Sequence, residues 1–294
     1  MRKNKIIIFI LAVIFFAAGV YFRNDVVNFY NFTKQQINKT VNDFQKTDIG
    51  ALVLEAGKEV FAPPPLEIRG DKSDVVLSKS KVISETNFQR QQNGMSALIE
   101  NEKLDKAALA KANDMFNNQY FEHVSPSGVG PGKLAQSYGY DYIVAGENLI
   151  LGNFSGEKEV VDGWMASPGH RANILNERYT EIGVAMIKGT YKGEIVWIGV
   201  QEFGLPLSAC SPLDANLKNQ INSDKVELES LVLQIDQKRS EINNTNSRSA
   251  SYNKMIDSYN QLVAQYNSLA EELKGFIATY NNQVNIFNNC VAGK

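Results

Sequence analysis

The segment EIGVAMIKGTYKGEIVWIGVQEF, at residues 181–203, carries the clearest secondary-structure signal in the chain. Apolar residues alternate with polar or small ones on both sides of GTYKG at residues 189–193. Period-two alternation is typical of half-buried strands, and a glycine-containing turn between two of them indicates an antiparallel pair. We therefore predict a β-hairpin that closes a folded domain.

Helical patterns precede this hairpin. Residues 75–94 and 104–120 have apolar positions at helical spacing, and shorter helices are predicted at 156–165 and 168–175. The glycine- and proline-rich segment between them, SPSGVGPGK at residues 125–133, lacks the spacing of a phosphate-binding loop. The residues thus predict a mixed α and β domain with its helices first and its hairpin last.

The N-terminus has the pattern of a membrane-targeting segment. Residues 6–22 are uninterruptedly apolar or small, and Arg2, Lys3 and Lys5 stand before them. Positive charge on this side places the N-terminus in the cytoplasm and sends the rest of the chain across the membrane. We favour an uncleaved anchor; cleavage near residues 17–19, which would release a secreted protein, is the alternative.

The C-terminal region predicts two long helices. Apolar residues recur at three-four spacing on both sides of the polar stretch 243–251, which favours an antiparallel helical hairpin. Cys210 precedes the first helix and Cys290 follows the second, so the hairpin would bring them together. Outside the cytoplasm we expect a Cys210–Cys290 disulfide.

Composition excludes several classes of protein. Lys and Arg number 30 and Asp and Glu number 32, so no overall basic field would attract nucleic acid. The chain has two cysteines and two histidines, and no CxxC pair. Zinc ribbons, iron–sulfur clusters and dithiol redox sites are therefore excluded.

Both histidines lie in distinctive segments, FEHVSPSG (121–128) and GWMASPGHRANIL (163–175), and AGENLI (145–150) lies between them. By spacing alone, His123 and His170 read as ordinary hydrogen-bonded residues. A second interpretation joins them with Glu147 in a metal site with an open position. A third pairs a serine, Ser125 or Ser167, with a histidine and Glu147, although no GxSxG motif supports it.

These segments, together with TEIGVAM and WIGVQEFG, resemble the CAP superfamily of cysteine-rich secretory, antigen-5 and pathogenesis-related proteins, in particular its bacterial, SCP-like branch. The resemblance covers about residues 77–206. It implies an α-β-α sandwich with a central antiparallel sheet, and a cleft formed by His123, Glu147 and His170.

The chain departs from the family pattern at one position, because Ser167 stands where many relatives have a second cleft glutamate. His123, Glu147 and His170 are nonetheless expected to be able to hold zinc or another divalent cation. Asn148, Asp162, Ser167, Arg171 and Asn173 are predicted to support the cleft.

The predicted organisation is a signal anchor at 1–24, a helical stalk and proline-rich linker at 25–74, the CAP domain at 75–208 and a helical hairpin at 209–294. The leading hypothesis is an exported, membrane-tethered module that binds a lipid-like, envelope or surface ligand. One alternative is a metal-dependent hydrolase with Glu147 as ligand or base. Another is an interaction protein that acts through the C-terminal hairpin, with exposed tyrosines facing a partner.

Overall fold

The computed structural model describes residues 23–46, 58–68, 70 and 74–293. The chain divides into two compact units. Among the described residues, one unit combines 23–46 with 213–288, and the other combines 58–212 with 289–293. The second unit begins before the predicted boundary at residue 75, because two short strands from the predicted linker belong to it.

The strands, in chain order, are β1 (Glu59–Phe61), β2 (Leu66–Ile68), β3 (Ile99–Glu100), β4 (Tyr142–Gly152), β5 (Glu181–Tyr191) and β6 (Glu194–Pro206). The helices are α1 (Arg23–Lys46), α2 (Lys79–Gln92), α3 (Glu102–Asn118), α4 (Pro131–Ser137), α5 (Glu157–Ala166), α6 (Pro168–Ile174), α7 (Ala215–Asn243) and α8 (Tyr252–Val291). A short 3-10 helix, Leu207–Ala209, follows β6.

The predicted hairpin is confirmed. Strands β5 and β6 pair antiparallel along their length, and Tyr191 faces Glu194 across the turn. Lys192 and Gly193 both have positive φ, at 50° and 87°. Two such residues form the tight turn whose twist matches that of the strands it joins.

The sheet is mixed, with the order β1-β4-β6-β5-β3 and with β2 also paired to β4. Its three long strands, β4, β6 and β5, pair with one another antiparallel, as expected. The expectation of an antiparallel sheet does not hold for the short strands at the edges of the sheet. Strands β1 and β2 run parallel to β4, and β3 runs parallel to β5, because these short segments arrive from loops and not from hairpin turns.

Helices lie on both faces of the sheet, and the alternation along β4 shows which face is which. Leu149 packs with α3 residues in one apolar cluster. Its neighbour Ile150 points the other way, where its side chain approaches Gly163 of α5. On that second face Gln201 of β6 also donates to Thr86 of α2.

Helices α1, α7 and α8 share an apolar core in the other unit. Tyr30 and Ile37 of α1 are buried in it, and the Tyr30 ring lies edge-on to Tyr266 at 5.2 Å. The predicted stalk thus includes a helix that packs with the C-terminal hairpin. The expectation of exposed tyrosines is wrong, since Tyr259, Tyr266 and Tyr280 are buried and Tyr252 is half-buried.

The predicted disulfide is confirmed: Cys210 and Cys290 are bonded, with their Cα atoms 5.8 Å apart. The predicted membrane anchor at residues 6–22 lies outside the described residues. Within the part that the structure describes, no helix combines the length and the apolar character needed to cross a membrane.

Candidate functional site

Two buried carboxyl groups lie at the centre of the candidate site. Glu147 of β4 and Glu202 of β6 face each other across the antiparallel pair, and their exposed fractions are 0% and 1%. Side chains directly opposite in such a pair are close neighbours. Two carboxylates in this position cannot both be charged without a large cost in free energy, so at least one of them is expected to be protonated.

Glu202 is the member that holds a proton. Burial, the charge of Glu147 and a hydrogen bond to Glu147 all raise the pKa of the Glu202 carboxyl well above its usual value. Glu147 Oε2 and Glu202 Oε1 have no other hydrogen-bond partner among the described residues, which fits one proton shared between the carboxyls. Glu147 is thus the hydrogen-bonding partner of the protonated Glu202.

A buried lysine interacts electrostatically with both carboxyl groups. Lys111 of α3 is 2% exposed, and its Nζ donates to the backbone oxygen of His123 at 2.7 Å. Burial lowers the pKa of Lys111, while Glu147 and Glu202 oppose that shift. Lys111 therefore supplies positive charge to the centre and fixes the loop that carries His123.

His123 contacts the centre directly. Its Nδ1 lies 2.6 Å from Glu147 Oε1, and its Nε2 lies 2.5 Å from the backbone oxygen of Pro63. A carbonyl oxygen can only accept, so Nε2 carries a hydrogen. A second proton lies between Nδ1 and the Glu147 carboxylate, because one of these two atoms must donate to the other. Both ring nitrogens are thus engaged by the protein.

His170 is the third residue of α6 and is almost completely buried, with 1% exposure. Its Nδ1 is 2.8 Å from Ser167 Oγ, while its Nε2 has no well-formed hydrogen bond within the described part of the chain. Burial, and secondarily the charge of His123, lower the pKa of His170 to about 4, against a smaller opposing effect of the Leu149 backbone. The ring is therefore neutral at pH 7.

An amide network on the other side of β4 holds α6 in place. Asn148 donates to the backbone oxygen of His170 at 3.3 Å and to Gln201 Oε1 at 3.2 Å. Asn173 of α6 donates to Asn148 Oδ1 at 3.0 Å and to the backbone oxygen of Glu147 at 3.2 Å. Tyr179 completes the network by donating to Asn173 Oδ1 at 2.7 Å. Asn148 and Asn173 thus position α6 against β4.

Gly146, next to Glu147, is required by the same packing. A Cβ at this position would lie 2.1 Å from Tyr179 Oη and 2.6 Å from Asn173 Oδ1. No side chain larger than hydrogen fits there without moving the network. Gly146 thus leaves the space that Asn173, and with it α6, needs to pack against β4.

Two predicted supporting residues lie elsewhere. Asp162 is half exposed on α5, where its Oδ2 accepts from Lys158 Nζ at 2.6 Å. Arg171 donates to Asn93 Oδ1 at 2.9 Å in an exposed contact. Both contacts lie outside the His123–Glu147 pair and at exposed positions, so the support of the cleft by Asp162 and Arg171 stays a prediction.

Within its described part, the structure does not join a serine, a histidine and Glu147 in the way that the serine hypothesis requires. Ser167 does lie beside His170, but the hydrogen bond of Glu147 goes to the other histidine. Ser125 is engaged with Ser127 Oγ and with the backbone N–H of Val129. No serine, histidine and glutamate are linked in series among these residues.

A divalent cation at His123, Glu147 and His170 needs a free lone pair on each ligand. Both nitrogens of His123 are hydrogen-bonded, and Nε2 is protonated against Pro63. Among the described residues, no group of three or more histidine, cysteine, aspartate or glutamate side chains has an arrangement that could hold a metal ion. The residues do not fit a metal in this conformation, and the predicted zinc site stays a prediction.

Sequence analysis missed Glu202, Lys111 and Pro63. Glu202 sits in an alternating strand, and its position opposite Glu147 depends on strand register. Lys111 belongs to an amphipathic helix, where a lysine ordinarily faces solvent. The signal that could have found Pro63 is the proline triplet 63–65, which was assigned to the proline-rich linker.

We expect the stability of this unit to fall as the pH drops below about 6.5. The unfolded His170 ring binds a proton near its usual pKa of 6.5, whereas the folded ring does so only near pH 4. The unfolded chain therefore binds more protons in this interval, and stability present above it is lost toward pH 4, by about 2–3 kcal/mol from this residue. Urea unfolding followed by tryptophan fluorescence at neutral and acidic pH measures the effect.

The fluorescence reports on this unit alone, since both tryptophans of the chain, Trp164 and Trp197, are buried in it. The control is His170→Gln, which should have a distinctly smaller loss between the two pH values. An equal loss in this variant would show that His170 is not the responsible group.

Comparison with known proteins gives a consistent result. The model of the CAP family, described as the cysteine-rich secretory protein family, matches residues 83–203. The chain is 43% identical over 166 residues to the uncharacterized protein YkwD of Bacillus subtilis, a match that covers 52% of this chain and 64% of YkwD. It is 30% identical over 134 residues to the uncharacterized membrane protein YlbC of the same organism, covering 45% of this chain and 38% of YlbC.

Among solved structures, an extracellular SCP-domain protein from Bacillus anthracis is 29% identical, with a TM-score of 0.38 and coverage of 43% of this chain and 39% of that one. The matches thus span less than two thirds of each of these relatives. The family match lies in the unit that contains the sheet, and it includes His123, Glu147 and His170. Residues 83–203 are accordingly a CAP domain of the cysteine-rich secretory protein family.

Proposed function

We propose that this protein is an exported CAP-domain protein that binds a ligand of the cell envelope at the His123–Glu147 centre. The carrying observation is the 2.6 Å contact between a fully buried carboxylate and an imidazole that is 11% exposed. Burying a carboxylate is costly unless it is paired and hydrogen-bonded. A fold that maintains such a centre beside solvent has the usual chemistry of a binding site.

The proposed location outside the cytoplasm rests on three observations. The apolar run at residues 6–22 follows three basic residues. The Cys210–Cys290 disulfide is of a kind that persists in oxidising compartments. One similar protein is named as an extracellular protein and another as a membrane protein. Tethering by the N-terminal segment, in preference to secretion after cleavage, is part of the proposal.

The geometry also indicates what the ligand must offer. Nε2 of His123 is a hydrogen-bond donor whose partner in the structure is a carbonyl oxygen. A ligand that takes this place must present an acceptor oxygen, as carbonyl, carboxylate or phosphate groups of envelope components do. Binding is favoured over metal-dependent hydrolysis because the donor atoms of His123 are engaged by the protein.

The test compares binding of the full-length protein to two probes, isolated cell-wall sacculi and phosphatidylglycerol vesicles, by co-sedimentation. We expect His123→Asn and Glu147→Gln to reduce binding to one of the probes at least about tenfold, equivalent to about 1.4 kcal/mol. Asp162→Asn is the matched control, because Asp162 is an acid of the same domain that forms an exposed ion pair with Lys158, and it should bind within about twofold of the unchanged protein.

Undiminished binding by His123→Asn and Glu147→Gln would contradict the proposal. Release of soluble fragments from either probe, together with about one equivalent of bound zinc by elemental analysis, would instead support the hydrolase. The zinc measurement also tests the predicted cation at His123, Glu147 and His170.

A further inference from the structure

The segment at residues 59–68, which we call the strap, crosses the sheet edge beside the His123–Glu147 centre. Its two ends are β1 and β2, which add to the same edge of β4. Phe61 pairs with Gly146, and Leu66 pairs with Ile150. The strap therefore advances by five positions while β4 advances by four, so one extra residue must bulge out next to Glu147 and Asn148.

The bulge contains the proline triplet 63–65. Prolines have no N–H to donate and fix an extended backbone, so this part of the strap cannot pair with β4 and offers only carbonyl oxygens. The carbonyl of Pro63 meets His123 Nε2 at 2.5 Å. The strap thus satisfies the one donor of the centre that would otherwise face a ligand.

Pro63 also fills the space on the side of α6. A Cβ added to Gly169, next to His170, would lie 2.8 Å from Pro63 Cβ. Two residues earlier in the strap, the backbone oxygen of Phe61 accepts a hydrogen bond from Asn173 at 3.2 Å. The residue before His170 must therefore be small for the strap to lie where it does.

The β1 end of the strap is held mainly through its backbone, whereas Ile68 at the other end packs against Gly163. The side chains of Val60 and Phe61 are 42% and 43% exposed, and Glu59 forms an exposed ion pair with Arg178 at 2.9 Å. Such contacts select an extended, proline-containing backbone more than a particular sequence. Strand addition to a free sheet edge and recognition of extended proline-rich segments are two established ways of binding peptides.

We propose that the edge of β4 at His123 is a binding site for an extended, proline-containing peptide, and that the strap occupies this site as an intramolecular ligand. This inference rests on the proposed function, for which it names the ligand class. An external peptide must displace the strap, whose effective concentration as a tethered segment is in the millimolar range. The strap then acts as a competitor that admits only peptides with additional contacts.

The experiment uses the full-length protein and its only two histidines. Diethyl pyrocarbonate modifies accessible imidazole nitrogens, and mass spectrometry separates the His123 and His170 peptides. In the triple variant Pro63→Gly, Pro64→Gly, Pro65→Gly, which loosens the strap, we expect His123 to react at least about tenfold faster. Pro212→Gly, an exposed proline outside the strap, is the control and should leave the rate unchanged.

The probe is a synthetic peptide of sequence EVFAPPPLEI, identical to residues 59–68. It should protect His123 in the triple variant and should bind that variant at least about tenfold more tightly than the unchanged protein, since the strap no longer competes. A scrambled peptide of the same composition should do neither. Equal His123 rates with and without the substitutions, or a lack of protection by the peptide, would each overturn the inference.

Gly169→Ala guards against misfolding of the triple variant, because it leaves the strap sequence intact and pushes a methyl group against Pro63. It should also accelerate modification of His123, whereas Gly156→Ala, whose Cβ would meet nothing within 4 Å, should not. The proposed function is judged separately: if His123→Asn lowers envelope binding while the peptide fails to protect, only the peptide inference falls.

Discussion

Replacing Arg90 with alanine should lower the free energy of unfolding of the CAP domain by about 4 kcal/mol, because one buried and two partly buried carbonyl groups lose their donor. Arg90 of α2 is 1% exposed. Its guanidinium donates to the backbone oxygens of Ser96, Ile174 and Asn176 at 2.8, 2.7 and 2.9 Å. Hydrogen bonds from charged donors are stronger than those from neutral donors, and water cannot easily replace the buried guanidinium.

Two of these carbonyls belong to the end of α6 and the residues after it, so Arg90 also holds the helix that carries His170. Urea unfolding followed by tryptophan fluorescence measures the loss. Arg171→Ala is the matched control, since Arg171 forms one exposed contact with Asn93, and it should cost less than about 1 kcal/mol. An equally small loss in the free energy of unfolding for Arg90→Ala would show that the guanidinium does not stabilise this part of the domain.

The second large effect is expected from the disulfide. The double substitution Cys210→Ser, Cys290→Ser should destabilise the helical unit by about 4 kcal/mol, because the bond closes a loop whose ends are 80 residues apart. The loop contains both α7 and α8, so the unfolded chain gains much conformational freedom without the crosslink. Circular dichroism during urea unfolding follows the helices.

Reduction of the unchanged protein serves as the internal comparison. A reductant should lower its stability to that of the double variant and should leave the variant itself unchanged. If the double variant unfolds at the same urea concentration as the oxidised protein, the disulfide does not stabilise the hairpin.

Regular periodicity explains what could be predicted about the fold. The two C-terminal helices have one buried and one exposed face, and their three-four spacing is visible in the residues. The β5–β6 hairpin was predictable from its alternation of apolar with small or polar residues around a glycine-containing turn, although most of β6 is buried on both faces of the sheet. The disulfide followed from the helical hairpin without further information. Strand β4 was missed for the opposite reason: all of its residues are buried, so its composition has no period to detect.

The candidate site was predictable only in part. The resemblance to CAP proteins implied His123, Glu147 and His170. Asn148 and Asn173, which hold α6, were predicted as supporting residues. The resemblance did not reveal that His123 binds Glu147 and Pro63, or that His170 instead pairs with Ser167. Such pairings depend on side-chain directions, which spacing along the chain does not specify.

The residues alone were sufficient for local features: an apolar N-terminal run, helices and a hairpin with clear periods, and two cysteines placed to meet. Strand register and helix packing were needed for the rest. They set Glu202 opposite Glu147, turned Lys111 inward and laid the carbonyl of Pro63 on His123, because contacts between residues far apart in the chain form only when the sheet and its helices pack together.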